Sequence, residues 1–408
     1  MTASARRHKV VRIIARLNVG GPAQQVCFLH ENLGPDFETV LIAGRLDPGE
    51  ADMSHLLTCV DRVYWVDRLS RAIMPWSDAA ALWKIYRVLR RETPDIVHTH
   101  TAKAGTLGRI AALLAGVPCR IHTYHGTVFR GYFGPLATRF FLAIERTLAR
   151  GTSKIIVVSE SQRNELVDHF KVAGPDQVLV LRNGFDLHQL VHNAPVANAV
   201  RHKYSIPKEK VVVTWAGRMV PIKGINLLCD VIDAAVSQQN VHFLVVGDGP
   251  QADVIKRRMK GRSNVTLTGW IKDMSEVWAD TDMALLTSLN EGTPTALIEA
   301  MAFGKPFVAT DVGGVRDLTT GPSQKFEHGI ETGNGFLTST DPRALLECIR
   351  LLASDRKRAE AMGNSGRELV FRNYCCDRLA GDMRKLYHDL VAPASAQAGN
   401  KFAVHSEA

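Results

Sequence analysis

Between residues 291 and 299 the chain reads Glu-Gly-Thr-Pro-Thr-Ala-Leu-Ile-Glu. An acid stands on either side of a Gly-Thr-Pro turn and the start of an apolar helix. Pro294 suits a first helical turn, where its missing N–H costs nothing, and Thr293 suits the N-cap before it. The backbone N–H groups from Gly292 to Ala296 would then be open donors at the positive end of a helix, a ready anion site. Glu291 precedes that site, and Glu299 follows about two turns along the helix. Acids at both ends of a phosphate cradle call for a ligand with phosphates in its middle and hydroxyls at each end. A nucleotide-sugar has that form. Taken alone, acids near a helix start can also simply complement the helix dipole.

Other segments could complete such a site. Gly217-Arg218, followed by Lys223-Gly224, ends a strand and opens a helix. Arg218 offers a bidentate fork and Lys223 a point charge, a pair suited to clamping a diphosphate and stabilising charge as it leaves. Gly247 and Gly249 end the next strand and permit close backbone approach. Gly269-Trp270 ends another, where Trp270 either lines a base pocket or packs inward. Gly20-Gly21-Pro22 follows the first strand without the third glycine of a dinucleotide fingerprint.

Histidines mark two further strand ends, at His98-Thr99-His100 and His122-Thr123-Tyr124-His125-Gly126. No carboxylate or cysteine joins them in sequence, so they are not read as a metal site. His125, just before Gly126, is the best placed to hydrogen-bond a sugar hydroxyl or move a proton. His100, Lys103, Tyr124, Gly126 and Arg130 are the acceptor-side candidates. The aromatic and basic run Phe129 to Pro135, with Arg139, Phe140 and Phe141, fits either a membrane surface or a packed amphipathic helix.

These loops need strands to present them. Short β-branched runs alternate with amphipathic stretches: strands at Lys9–Ala15, Glu38–Ala43, Asp95–His98, Cys119–Thr123, Lys154–Val158 and Val178–Leu181, and helices at Pro22–Glu31, Ser77–Arg91, Ala102–Ala115, Pro135–Arg150 and Glu160–His169. This is the rhythm of a doubly wound parallel sheet. After a polar stretch near 188–210 it restarts, with strands at Val211–Ala216, His242–Val246, Val265–Thr268, Met283–Thr287 and Pro306–Ala309. The expected fold is α/β, with two Rossmann-like domains facing across a cleft. They span 1–190 and 191–373, a C-terminal helix at about 375–391 follows, and the Ala/Ser/Gly-rich tail 392–408 is expected to be disordered.

A chain of 408 residues with 46% apolar and 22% charged residues is an ordinary globular protein of about two domains. Its seven cysteines are scattered and form no C-x-x-C, which favours a reducing compartment over a disulfide framework or structural zinc. The apolar run at residues 10–16 is interrupted by arginines, so it reads as a strand and not a signal peptide. The expected location is the cytoplasm, with contact at the cytoplasmic face of a membrane. The net charge of +9 attracts phosphate-rich surfaces of any kind, and no recognised motif supports nucleic-acid binding.

Taken together, these segments resemble the family 4 glycosyltransferases, which have the GT-B fold. The resemblance spans nearly the whole chain. It rests on Gly20-Gly21, His125-Gly126, Val157-Val158-Ser159-Glu160, Asn183-Gly184-Phe185-Asp186, Gly217-Arg218, Lys223-Gly224, Gly247-Asp248-Gly249-Pro250, Gly269, and Glu291 to Glu299. Each is weak singly, but their order and spacing are specific.

The resemblance implies that Arg218 and Lys223 hold a donor diphosphate, and that Gly292, Thr293, Pro294, Thr295 and Leu297 supply backbone around the phosphates. It further implies that Glu299 binds the ribose, Glu291 contacts the donor sugar, and His125 lies near the reacting centre. Transfer is expected to retain anomeric configuration and to need no metal or other cofactor, with the nucleotide-sugar as co-substrate. The expected acceptor is lipid-linked or a glycan, with UDP favoured over GDP as the donor nucleotide, and the last helix is expected to cross back to the first domain. Members often carry Gly-Gly-x-Glu in the first loop; here Ala23 stands at the glutamate's place, so acceptor handling differs. A nucleotide-sugar 2-epimerase and a silent nucleotide-sugar-binding protein share the architecture and remain alternatives.

Overall fold

The computed structural model describes residues 6–18, 20–47, 50, 52–58, 60–69, 73–126, 134–194 and 198–392. The chain divides into two compact units, residues 1–184 with 376–408, and residues 185–375.

The first unit is built on a wholly parallel sheet of β1 (His8–Ile14), β2 (Phe37–Ala43), β3 (Val63–Trp65), β4 (Ile96–His100), β5 (Cys119–Tyr124), β6 (Lys154–Val157) and β7 (Val178–Val180). The spatial order is β3-β2-β1-β4-β5-β6-β7. Residues 8 to 14 of β1 pair in register with 37 to 43 of β2, and Val10 to Ile13 pair with 96 to 99 of β4. Sequence direction therefore reverses between β1 and β4, the switch point where open α/β sheets bind ligands at the strands' carboxyl ends.

The helices are α1 (Gly21–Glu31), α2 (Pro75–Glu92), α3 (Ala102–Leu114), α4 (Pro135–Arg150) and α5 (Glu160–Asn164). Alternate residues of each strand face opposite sides. Val11, Ile13 and Val97 meet apolar residues of α2 and α3 on one face. Val10, Ile96 and Ile121 meet α1 and the last helix, α14 (Cys376–Val391), on the other, through Leu29, Leu379, Met383 and Tyr387. The amphipathic pattern of α14 is satisfied by this sheet, which places it in the first unit.

The second unit repeats the plan. Its strands are β8 (Val211–Ala216), β9 (Val241–Val246), β10 (Val265–Gly269), β11 (Met283–Leu286), β12 (Phe307–Thr310), β13 (Gln324–Phe326), β14 (Gly329–Thr332) and β15 (Gly335–Thr338). The order β10-β9-β8-β11-β12-β15-β14-β13 places a second switch point between β8 and β11. β13 to β15 form an antiparallel meander at the edge. The helices are α6 (Leu187–His192), α7 (Ala199–Lys203), α8 (Ile225–Ala234), α9 (Ala252–Arg258), α10 (Met274–Ala279), α11 (Thr295–Ala302), α12 (Pro342–Ser354) and α13 (Arg356–Asn373). Every residue of β9 is buried, as a strand covered on both faces requires.

Several expectations are adjusted. The units meet in sequence at Gly184/Phe185 and Cys375/Cys376, not at 190/191 and 373. The polar stretch near 188–210 folds onto the second unit because the Asp280 carboxylate accepts the N–H groups of Asn198, Val200 and Arg201 at 2.5, 2.8 and 3.1 Å. The helix expected over Glu160–His169 is α-helical only to Asn164 and widens into a π turn over Glu165–His169. Residues 393–408 of the tail, and Thr127 to Phe133, including Arg130, lie outside the described residues. No helix among the described residues is long and apolar enough to cross a membrane.

Candidate functional site

At the switch point of the second sheet, β8 runs into Gly217-Arg218 and β11 into residues 287–294. The two loops are locked together. Gly224, with φ +65°, lies so close to the Thr287 carbonyl that a Cβ would come within 2.0 Å of the oxygen, so only glycine fits. The Thr287 hydroxyl donates to the Lys223 carbonyl at 3.0 Å and accepts from the Trp215 indole at 3.0 Å. Lys223 is thereby aimed at Glu291, whose Oε1 it reaches at 2.5 Å. The Ser288 hydroxyl donates to the same oxygen at 2.6 Å.

From the far side, the Gly314 N–H donates to the Glu291 carbonyl at 2.9 Å. Gly313 is likewise a position that only glycine can fill, since its φ is +50° and a Cβ would lie 2.0 Å from that carbonyl.

Arg218 is exposed and its guanidinium has no partner among the described residues. The charge of Lys223 is already met by Glu291, so Arg218 is the uncompensated cation of the loop pair. The sequence pairs the two as a joint diphosphate clamp, whereas the structure engages Lys223 with Glu291 and leaves Arg218 without a partner among the described residues.

The cradle also differs in detail. Pro294, with a bridging extended conformation, is the N-cap of α11, so Thr293 is not the cap and Pro294 is not in the first turn. The hydroxyl of Thr293 is buried with no partner among the described residues. The Leu297 N–H is taken by the Pro294 carbonyl at 3.1 Å. The N–H groups of Gly292, Thr293, Thr295 and Ala296 bond to nothing among the described residues. An orphaned hydroxyl beside open N–H groups at a helix N-terminus suits an anion.

Glu299 lies half-buried along α11. Burial pushes its carboxyl up to about 7, and the Trp278 indole opposes this by donating to Oε2 at 3.0 Å. Near neutral pH this group is poised between charge states, and a ligand hydroxyl donated to it would favour the ionised one.

The glycines of the neighbouring strand ends are used structurally. The Gly217 N–H donates to the Val246 carbonyl at 3.0 Å, and that of Gly247 to Gly269 at 2.8 Å. Gly249 donates to the Asp248 carboxylate at 2.7 Å. Trp270 is 57% exposed, which removes it from the core. A cavity lined by His188, His192, Arg367 and Phe371 contains none of these residues.

The first unit places its candidates differently. Gly20 precedes α1, and Gly21 opens it. His98 is buried, bonded to the Tyr387 hydroxyl at 2.6 Å and to Thr123 Oγ1 at 2.7 Å. His122 is bonded to Thr99 Oγ1 at 2.9 Å. Both are core histidines: His98 has partners on both ring nitrogens, whereas the Nε2 of His122 is buried with no partner among the described residues. His100 is buried as well, and its Nδ1 lies 3.0 Å from His125 Nε2, the rings stacked at 5.3 Å. Burial holds His98, His100 and His122 well below the usual imidazole range and brings His125 down to about 4. All four are neutral at pH 7. His125 is half-buried beside exposed Gly126, with Nε2 turned to His100 and Nδ1 buried with no partner among the described residues.

Two acceptor-side candidates are engaged elsewhere. Lys103 reaches Asp78 of α2 at 2.5 Å. Tyr124 is buried and donates to Glu145 at 2.5 Å, which Arg109 also holds at 2.6 Å. Tyr124 alternates onto the α4 face of its strand, which strand position alone does not reveal. Among the described residues, no group of three or more His, Cys, Asp or Glu is placed to hold a metal ion.

Ser288, Gly313 and Trp278 were not anticipated. Gly313-Gly314 after a strand carries a readable turn signal, whereas Ser288 and Trp278 reach their partners only through the fold.

Residues 210–355 match the profile of the family described as Glycosyl transferases group 1, and residues 20–184 match that of the Glycosyl transferase 4-like domain. The chain is similar to the UDP-Gal:alpha-D-GlcNAc-diphosphoundecaprenol alpha-1,3-galactosyltransferase of Escherichia coli, at 27% identity over 81% of this chain and 84% of that protein. It is also similar to the capsular polysaccharide biosynthesis glycosyltransferase CapM of Staphylococcus aureus, at 26% identity over 79% and 84%. Among solved structures, the sucrose-phosphate synthase of Thermosynechococcus elongatus aligns with a TM-score of 0.75 and 21% identity over 94% of this chain and 99% of that one. Anabaena HepE in complex with UDP and glucose aligns with a TM-score of 0.73 and 19% identity over 93% and 99%.

Proposed function

Since the chain belongs to the family 4 glycosyltransferases of GT-B fold, we propose that it moves a sugar from a UDP-sugar to a lipid-linked or polysaccharide acceptor with retention of configuration. The observation that carries this reading is the switch point of the second sheet. There a partnerless Arg218, an orphaned Thr293 hydroxyl and open N–H groups adjoin the Lys223–Glu291 pair. Arg218, Thr293 and the α11 N-terminus bind the diphosphate. Glu299 accepts the ribose hydroxyls, and Glu291, held by Lys223 and Ser288, contacts the donor sugar. His125 hydrogen-bonds the sugar or acceptor as a neutral ring.

In the transfer, the bond between the anomeric carbon and the diphosphate oxygen breaks as a bond to the acceptor oxygen forms on the same face. The acceptor's hydroxyl proton passes to the departing diphosphate, whose growing charge Arg218 and the open N–H groups stabilise. Glu291 is already neutralised by Lys223, which suits a contact residue better than a nucleophile. The lipid-linked acceptor and UDP follow the names of relatives such as the E. coli galactosyltransferase and the HepE complex.

The test supplies UDP-hexoses and UDP-N-acetylhexosamines with a polyprenyl-diphosphate-sugar acceptor in EDTA, and reads the product's anomer by NMR. An α-linked product from an α-linked donor is expected. A β-linked product, or activity recovered only with added divalent metal, overturns the mechanism.

A further inference from the structure

Large apolar side chains on α2 and α4 stand open to solvent. Trp76 is 88% and Trp83 61% exposed on α2, while Leu136 is 83% and Phe140 63% exposed on α4. On α2 the exposed residues Trp76, Trp83, Arg87 and Arg90 follow one another at spacings of seven, four and three. They therefore form a single stripe along a helix of 18 residues, about 27 Å long. Trp83 is steadied by stacking on Tyr86 at 5.4 Å.

The stripe has one sign of charge. The acids of α2 are turned away from it: Asp78 is paired with Lys103 at 2.5 Å, and Glu92 is held by Lys9 at 3.0 Å and by the Tyr64 hydroxyl at 2.5 Å. Arg87 and Arg90 have no partner among the described residues.

Topology puts these side chains where they matter. α2, α3 and α4 lie on one face of the first sheet. In a parallel sheet each helix runs back against its strands, so the helix N-termini sit at the strands' carboxyl edge. Trp76, Leu136 and Phe140 are all in N-terminal turns and lie at that edge, on the side of His100 and His125. A row of separated rings flanked by unpaired arginines matches a fluid, anionic surface, because aromatic rings settle at the headgroup level and basic residues meet lipid phosphates.

We propose that the stripe of α2, with the first turns of α4, docks the protein on an anionic lipid bilayer and so brings the acceptor-side loops of the first unit to the membrane. This rests on the reading that the acceptor is lipid-linked, but its test is separate from sugar transfer.

The full chain is floated with phosphatidylcholine vesicles and with vesicles containing 30% phosphatidylglycerol, and UDP binding is measured on the same samples by calorimetry. Wild type is expected to float with the anionic vesicles only. Trp76→Ser with Trp83→Ser, and separately Arg87→Glu with Arg90→Glu, should each lower that binding tenfold or more with UDP affinity unchanged. Intact UDP binding without flotation overturns the docking surface and leaves the donor site standing, whereas loss of UDP binding in wild type strikes the proposed function instead. Variants that float like wild type, equal binding to neutral vesicles, or a dimer abolished by the tryptophan changes with no lipid binding would each overturn the proposal.

Discussion

The two switch points share a topology and differ in charge. At the first, the cation next to the strand end, Lys103, is paired with Asp78, and the polar group at the next strand end, His125, is a half-buried histidine held neutral by burial. At the second, Lys223 is paired but Arg218 is left free, beside an orphaned hydroxyl and unused N–H groups. One topology thus supplies two ligand edges, and the local residues decide what each attracts. The first offers neutral hydrogen bonding suited to hydroxyls, and the second offers uncompensated positive charge suited to phosphates.

The sharpest way to break this contrast is at Arg218. Replacement by Ala should lower kcat/KM for the UDP-sugar donor by about a hundredfold, on the order of a lost charge-assisted clamp. The melting temperature should stay within about a degree, since an exposed, partnerless side chain stabilises little.

The corresponding change in the first unit, His125→Ala, should lower kcat roughly tenfold. Calorimetric affinity for UDP should be unchanged. Equal loss of UDP affinity in both variants would erase the distinction between the two edges.

Glu299 sharpens the comparison through pH. Its carboxyl is raised to about 7 in the free protein, and on the proposed reading a ribose hydroxyl would donate to the ionised form. Affinity for UDP-glucose, whose phosphates do not titrate in this range, should therefore rise by a few fold from pH 6 to pH 8 and then level off. Glu299→Gln should flatten that rise. The sign for stability is the reverse: the ionised carboxyl is disfavoured by burial, so the unliganded wild type loses stability relative to the Gln variant as pH rises from 4.5 through 7.

The smallest functional effect is expected from Lys103→Met. It leaves Asp78 without its cation, which should cost about 1–2 kcal/mol in a denaturant melt. UDP affinity should not move.

Much of this was legible in the chain. The amphipathic stretch Pro135–Arg150 is expected to be a helix, and the structure places α4 over the same residues. The parallel βα rhythm correctly placed the glycine and histidine loops at strand ends. Shorter elements were not readable: β3 has three residues, β13 and β14 are short and largely unburied without apolar runs, and the buried β15 has only four residues. Side-chain direction was harder still. Tyr124 and Lys103 stand at the right strand ends, but alternation carries Tyr124 toward Glu145, and Asp78 draws Lys103 onto α2. Trp278 reaches Glu299 across 21 positions of sequence, a contact only the packed unit creates.

The account stands most directly on one titration: UDP against the full-length wild type and its Arg218→Ala variant by calorimetry at pH 8. One UDP per chain should bind wild type and stabilise it by a few kcal/mol at saturation, with affinity falling at least tenfold in the variant while both melt alike. Absence of binding by wild type, or equal affinity in the two proteins, would contradict the assignment of the phosphate site to the second switch point.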